Sequence, residues 1–81
     1  MYHILAVNAG STSVKYKLFS SSLEEVLSGH IENDKGKYIS KLKKYGQKYQ
    51  WDLTEAEYQR PDIIIAKEIE GYTIKKIGFR V

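Results

Sequence analysis

The sequence predicts an α+β fold: an antiparallel three-stranded meander, a further hairpin, a helix and a final strand. Three observations predict it. Ile4-Leu5-Ala6-Val7 is a short unbroken apolar run, the pattern of a strand covered on both faces. From Ser13 to Phe19 the chain alternates, with Val14, Tyr16 and Leu18 on one side and Lys15 and Lys17 on the other. That is the period of a half-exposed strand. Between the two runs, Asn8-Ala9-Gly10-Ser11-Thr12 is turn chemistry.

The remaining elements follow in order. Ser20-Ser21-Ser22 makes a second turn, a third strand runs from Glu24 to Ile31, and Asn33-Asp34-Lys35-Gly36 closes it. The stretch from Tyr38 to Leu53 carries two patterns. Tyr38, Leu42, Tyr45 and Tyr49 share one helical face, whereas Tyr49, Trp51 and Leu53 alternate with Lys48, Gln50 and Asp52. Gly46 sits where a hairpin would turn, and this favours two strands. Thr54-Glu55-Ala56-Glu57 matches a capping box, so a helix begins there. Pro61 either kinks that helix or opens the next at its first turn. Ala66 to Glu70 prefers helix and Gly71 suits the residue just past its end, although Ile63-Ile64-Ile65 by itself also fits a strand. Ile77, Phe79 and Val81 alternate with Gly78 and Arg80 as a last strand.

Composition sets bounds on function. At 81 residues the chain makes one small domain, which buries roughly 60–65% of the surface its unfolded form exposes. It has no cysteine, so neither disulfides nor a thiolate zinc site can staple it. Hydrophobic residues at 42% and charged residues at 28% fit a globular chain rather than a disordered one. No apolar run approaches the ~20 residues of a membrane span. The N-terminus lacks a basic n-region and breaks at Asn8, unlike a signal peptide. The chain reads as cytoplasmic. A formal charge of +3 suits the handling of anions, and many proteins without an anionic ligand share it.

The informative segment runs from Asn8 to Lys15. Gly10 lets backbone N–H groups approach an anion closely, since no Cβ intervenes. Ser11, Thr12 and Ser13 add hydroxyl donors. Lys15 follows Ser13 by two, so both project from one face of a strand. Asn8 can present an amide oxygen to hydrated Mg²⁺. Spacing by itself favours a plainer account, a solvated hairpin turn followed by an ordinary surface lysine. It is not a Walker A loop, because no Gly-Lys-Ser/Thr closes a Gly-x-x-x-x spacer. His3 and His30, each isolated on a strand, read as structural or surface residues. No paired carboxylates, Ser-His-Asp set or metal-ligand cluster stands out.

The run from Ile4 to Phe19, with Asn8-Ala9-Gly10-Ser11-Thr12-Ser13-Val14-Lys15-Tyr16 at its centre, resembles the opening of acetate kinases. There a hydrophobic strand leads into Asn-Ala-Gly-Ser-Ser-Ser-Leu-Lys-Tyr, so Thr12 and Val14 are mild departures. Ala9 separates it from butyrate kinases, which commonly have proline after the asparagine. Ile77-Gly78-Phe79-Arg80-Val81 is similar to the start of the family's Gly-His-Arg-Val-Val-His-Gly-Gly strand, with Phe79 in place of histidine. The resemblance covers residues 1–33 well and 74–81 fairly. It implies a single partial domain over residues 1–81, the N-terminal part of an actin-like ATPase (ribonuclease H-like) domain.

It implies further that the complete enzyme moves a phosphoryl group between ATP and acetate, with Mg²⁺, and works as a homodimer. Asn8 would sit at the metal and Lys15 at the nucleotide phosphates. Gly10, Ser11, Thr12 and Ser13 would line the phosphate loop, and Arg80 would contact acetate or the phosphoryl group in flight. The family's acid–base residues and adenosine pocket fall beyond the position matching Val81. No catalytic acid or base is therefore assigned here, and the 81-residue chain is expected to be inactive alone. Two readings compete. Lysines interleaved with aromatics from Lys37 to Trp51 could form a single-stranded nucleic-acid platform, or simply an edge hairpin with lysines out and aromatics in. The chain could also be a relic that folds and binds nothing.

Overall fold

Each run of alternation becomes a pleated strand. The computed structural model describes residues 2–80, and of positions 79 and 80 the backbone alone. The strands are β1 (His3–Ala9), β2 (Ser13–Ser20), β3 (Glu25–Asp34), β4 (Lys37–Lys44), β5 (Gln47–Leu53) and β6 (Ile74–Arg80). They form one sheet in the order β5-β4-β3-β2-β1-β6. β1 to β5 are antiparallel neighbours, whereas β6 lies parallel to β1 on its other side. The fold is α+β, as expected, with the meander over residues 2–32 in place.

The ambiguous stretch from Tyr38 to Leu53 is a hairpin. Tyr45 and Gly46 both have positive φ, 53° and 76°, as do Lys35 and Gly36 at 53° and 87°. Two central residues of that hand match the twist of antiparallel strands, and a helix has no place for them. Asn33 steadies the earlier turn, its Oδ1 accepting from Gly36 N at 2.9 Å.

Two short helices, α1 (Glu55–Tyr58) and α2 (Pro61–Glu68), cross one face of the sheet. The capping box is present: Thr54 Oγ1 accepts from Glu57 N at 3.1 Å, and Thr54 N donates to Glu57 Oε1 at 2.9 Å. Pro61 opens α2, where its missing N–H costs nothing. Ile63-Ile64-Ile65 is helical, not a strand, because Pro61 starts the helix and Ile65 turns into the core. Ile69 is the C-cap, so Gly71, at φ 93°, falls two residues past it rather than one. β6 begins at Ile74, earlier than the alternation indicated, and Val81 lies outside the described residues.

The core lies between helices and sheet. Cross-strand rows Leu5–Leu18–Leu27 and Val7–Tyr16–Gly29–Leu42 run under the helices. Ile31, Leu53 and Ile65 complete the cluster. Each buried aliphatic side chain contributes about 1.5–3 kcal/mol. Tyr16 lies over Gly29, and a Cβ at position 29 would overlap its ring. The buried Tyr16 hydroxyl has no hydrogen-bond partner among the described residues. Burial, with Glu68 nearby, pushes its pKa well above the ordinary tyrosine value.

His3 pairs with Ile74 but Ile4 pairs with Lys76, so Lys75 is an extra residue in β6.

Candidate functional site

The opposite face of the sheet is not crossed by helices, and the candidate residues sit at one end of it. Asn8 is near the end of β1, and Lys15 on β2 lies directly across from it. On the other side of Asn8, β6 brings position 80 into register. Lys15, Asn8 and position 80 thus form one row across three strands, with the outer Cα atoms about 10 Å apart at ~4.8 Å per strand. The side chain of Arg80 lies outside the described residues.

The turn that carries Gly10, Ser11 and Thr12 joins β1 to β2, and all three residues are exposed. Its anchoring is one-sided. Gly10 N donates to Ser13 O at 2.7 Å, so that amide is taken and offers nothing to an anion. Thr12 O accepts from Asn33 N at 3.2 Å and from the Tyr58 hydroxyl at 2.8 Å. Tyr58, stacked on Tyr38 at 4.6 Å, ties helix α1 to the turn. Ser11 and Thr12 are left with exposed amides and hydroxyls. Gly10 does not have positive φ, and a Cβ there would meet Ser13 O at 3.4 Å, an ordinary contact. The backbone therefore does not require glycine at this position.

The row continues past Lys15 to His30, Lys41 and Gln50. With Lys17, Lys43 and Lys48 in the next row, these residues line a shallow concavity of about 620 Å³. Glu32 is the counter-charge. Its carboxylate is 2.6 Å from Lys41 Nζ and 4.0 Å from His30 Nε2. The hydrogen bond from Lys41, with the charges of Lys41, His30 and Lys15, holds the Glu32 pKa below the usual carboxylate range. The same pair raises the pKa of Lys41. Lys17 pairs with Glu25 at 3.6 Å. Lys15 has no ion-pair partner among the described residues, so a free cation stands beside Asn8 at the mouth of the turn.

Sequence reading missed Glu32, Lys41 and the Tyr58 hydroxyl. Lys41 reaches this row only through the β3–β4 register, and Tyr58 only through helix docking; neither leaves a local signal. His30, taken as structural or surface, is half-buried in the row. The lysines and aromatics that interleave along β5 fall on opposite faces, Lys48 with the other lysines and Tyr49 and Trp51 towards the helices. They do not build a shared stacking platform. Among the described residues no cluster of metal-ligating side chains is gathered, and no helix is long and apolar enough to cross a membrane.

No protein-family model matches the chain. The chain is 47% identical over 62 residues to an acetate kinase of Lacticaseibacillus paracasei, covering 73% of this chain and 16% of that protein. The structure is similar to a propionate kinase from Francisella tularensis, with a TM-score of 0.72 at 27% identity over all of this chain and 22% of that one. It also shares its fold with an acetate kinase from Entamoeba histolytica, with a TM-score of 0.59 at 23% identity over 89% of this chain and 19% of that one. The chain thus spans about a fifth or less of these relatives. By sequence and by fold, this chain is related to the acetate kinases, and what it matches is a part of them.

Proposed function

We propose that this chain supplies the phosphate-handling hairpin of an acetate kinase, which transfers a phosphoryl group between ATP and acetate. One observation carries the reading: Lys15, unpaired among the described residues, lies directly across from Asn8, at the mouth of a turn whose Ser11 and Thr12 donors are exposed. Phosphoryl transfer asks the protein mainly for positioning and charge stabilisation. Lys15 meets the nucleotide phosphates. Ser11, Thr12 and Ser13 hydroxyls, with the free turn amides, hold phosphate oxygens. Gly10 serves by lacking a Cβ, because its own conformation does not call for glycine. Arg80 acts on acetate or the group in flight.

The implied magnesium ion fits this donor set. Asn8 offers one exposed neutral oxygen, suited to an ion that keeps its waters and takes the rest of its charge balance from phosphate. Asn8 and the neighbouring hydroxyls would hold it through water. When bound, the ion neutralises phosphate charge. We assign residues 1–81 to one partial domain and expect no acetate kinase turnover from them alone, the complete enzyme being a cytoplasmic homodimer.

The test is a chimera. The matched residues of the Lacticaseibacillus acetate kinase are replaced by those of this chain, and acetyl phosphate formation is measured by hydroxamate capture. The chimera should be active, and Lys15→Ala within it should lose at least tenfold with unchanged thermal stability. A folded but inactive chimera would favour the relic reading, and full activity in Lys15→Ala would remove the lysine from the site.

A further inference from the structure

Strand β5 is an edge of the sheet, and six of its seven residues are exposed. Its outer side offers an unfilled ladder. The two-residue turn at Tyr45-Gly46 closes on the pair Lys44–Gln47. Such a pair is hydrogen-bonded, and bonded pairs then alternate along the hairpin. The backbone groups of Tyr49 and Trp51 therefore face β4, while those of Lys48, Gln50 and Asp52 face outward.

The side chains of this edge are unspent as well. Among the described residues neither Lys48 nor Asp52 takes part in an ion pair. Lys48 moreover lies directly across from Lys43, a like charge. Tyr49 and Trp51 are 48% and 36% exposed.

We propose that β5 pairs antiparallel with β5 of a second copy, about a twofold axis through Gln50. The register follows from the strand itself. Outward backbone groups must meet outward groups, and full overlap of Gln47–Leu53 with its copy centres on Gln50. That alignment sets Lys48 against Asp52 twice, Tyr49 against Trp51 twice, and Gln50 against Gln50. Centring on Tyr49 or Trp51 loses the ion pairs, and centring on Lys48 opposes two lysines. Tyr49 and Trp51 fall at non-bonded positions, where cross-strand side chains come closest. They meet on the helix side, where Trp51 borders an apolar groove with Leu53, Ile63 and Ile64. The interface is isologous, each residue meeting its complement on the other copy, and the two sheets become one.

Sedimentation equilibrium of the 81-residue chain tests this. The mass should rise with concentration from 9.4 kDa towards twice that value. Asp52→Lys should hold the chain monomeric, and adding Lys48→Asp should restore the dimer by exchanging the charges. The chain has no cysteine, so Gln50→Cys gives a clean second measurement. Two Cα atoms ~5.5 Å apart across the axis permit a disulfide, whereas Gln47→Cys lies roughly 20 Å from its copy. Cross-linking should be efficient at position 50 and absent at position 47. A monomer at every concentration, a dimer indifferent to Asp52→Lys, a charge exchange that fails to restore it, or equal cross-linking at both positions overturns the proposal.

Discussion

The two faces of this sheet share every backbone atom and differ in nearly everything else. Towards the helices, rows of leucine, isoleucine and tyrosine are closed off from water. On the other side, the rows Ala6–Lys17–Ser28–Lys43–Lys48 and Asn8–Lys15–His30–Lys41–Gln50 stand open. Period-two alternation makes this division possible, since each residue is committed to one side. The difference teaches that stability and charge are separable here. Substitutions on the closed face should move the unfolding midpoint, and those on the open face should move anion binding.

The sharpest way to break the contrast is Gly29→Ala. Only one methyl is added, but it enters the space of the buried Tyr16 ring. A loss of about 3 kcal/mol in urea unfolding is expected, at the upper end of overpacking costs. A near-neutral result would mean the Tyr16 ring can leave Gly29 freely.

Tyr16→Phe should have a smaller effect of opposite sign. It removes a buried hydroxyl without a partner, and a gain of about 1 kcal/mol at neutral pH is expected. The pH dependence gives a second reading. The folded chain holds this phenol neutral, with its pKa raised above the usual 10.0. Its contribution is therefore full below pH 10 and lost as pH rises beyond that. Urea midpoints measured on either side of pH 10 should fall less in Tyr16→Phe than in the parent chain.

The open face should yield the smallest change. Glu32 is held below its ordinary pKa by Lys41, so its stabilising effect is present above about pH 4.5 and fades as pH falls through the lowered value. Lys41 is exposed and Glu32 half-buried, so solvent reaches and screens the pair. Glu32→Gln should flatten the acid limb of the thermal stability profile slightly and leave the neutral midpoint almost unchanged. A large drop at neutral pH would show that this face also carries stability.

How much of this was legible depends on whether the cause was local. Alternation in β2 placed Val14, Tyr16 and Leu18 opposite Lys15 and Lys17, and the sheet follows it. Gly46 marked the β4–β5 turn, and Thr54 with Glu57 marked a helix start, because turn and cap chemistry act within a few residues. The register that carries Lys41 to Glu32 was not legible, since it depends on two strands meeting in three dimensions. Nor was the parallel placement of β6. Ile63-Ile64-Ile65 stayed open between helix and strand for a related reason: β-branched residues prefer strands, and Pro61 with the core beneath Ile65 decided for helix. Of the candidate site, the turn and Lys15 were visible as residue types, while the one-sided anchoring of Thr12 was not.

The extra residue at Lys75 acts as a phase shift between two messages written far apart in the chain. Ahead of it the pairing of β1 with β6 runs at one offset, His3 with Ile74, and after it at the next, Ile4 with Lys76. Every later residue of β6 is thereby advanced by one step, and Asn8 comes to face position 80. Without that step, Asn8 would face position 79, a phenylalanine, and neighbouring residues of a strand exchange faces. The identity of the residue that joins Lys15 and Asn8 is therefore set five positions upstream, by a lysine that does not touch the row.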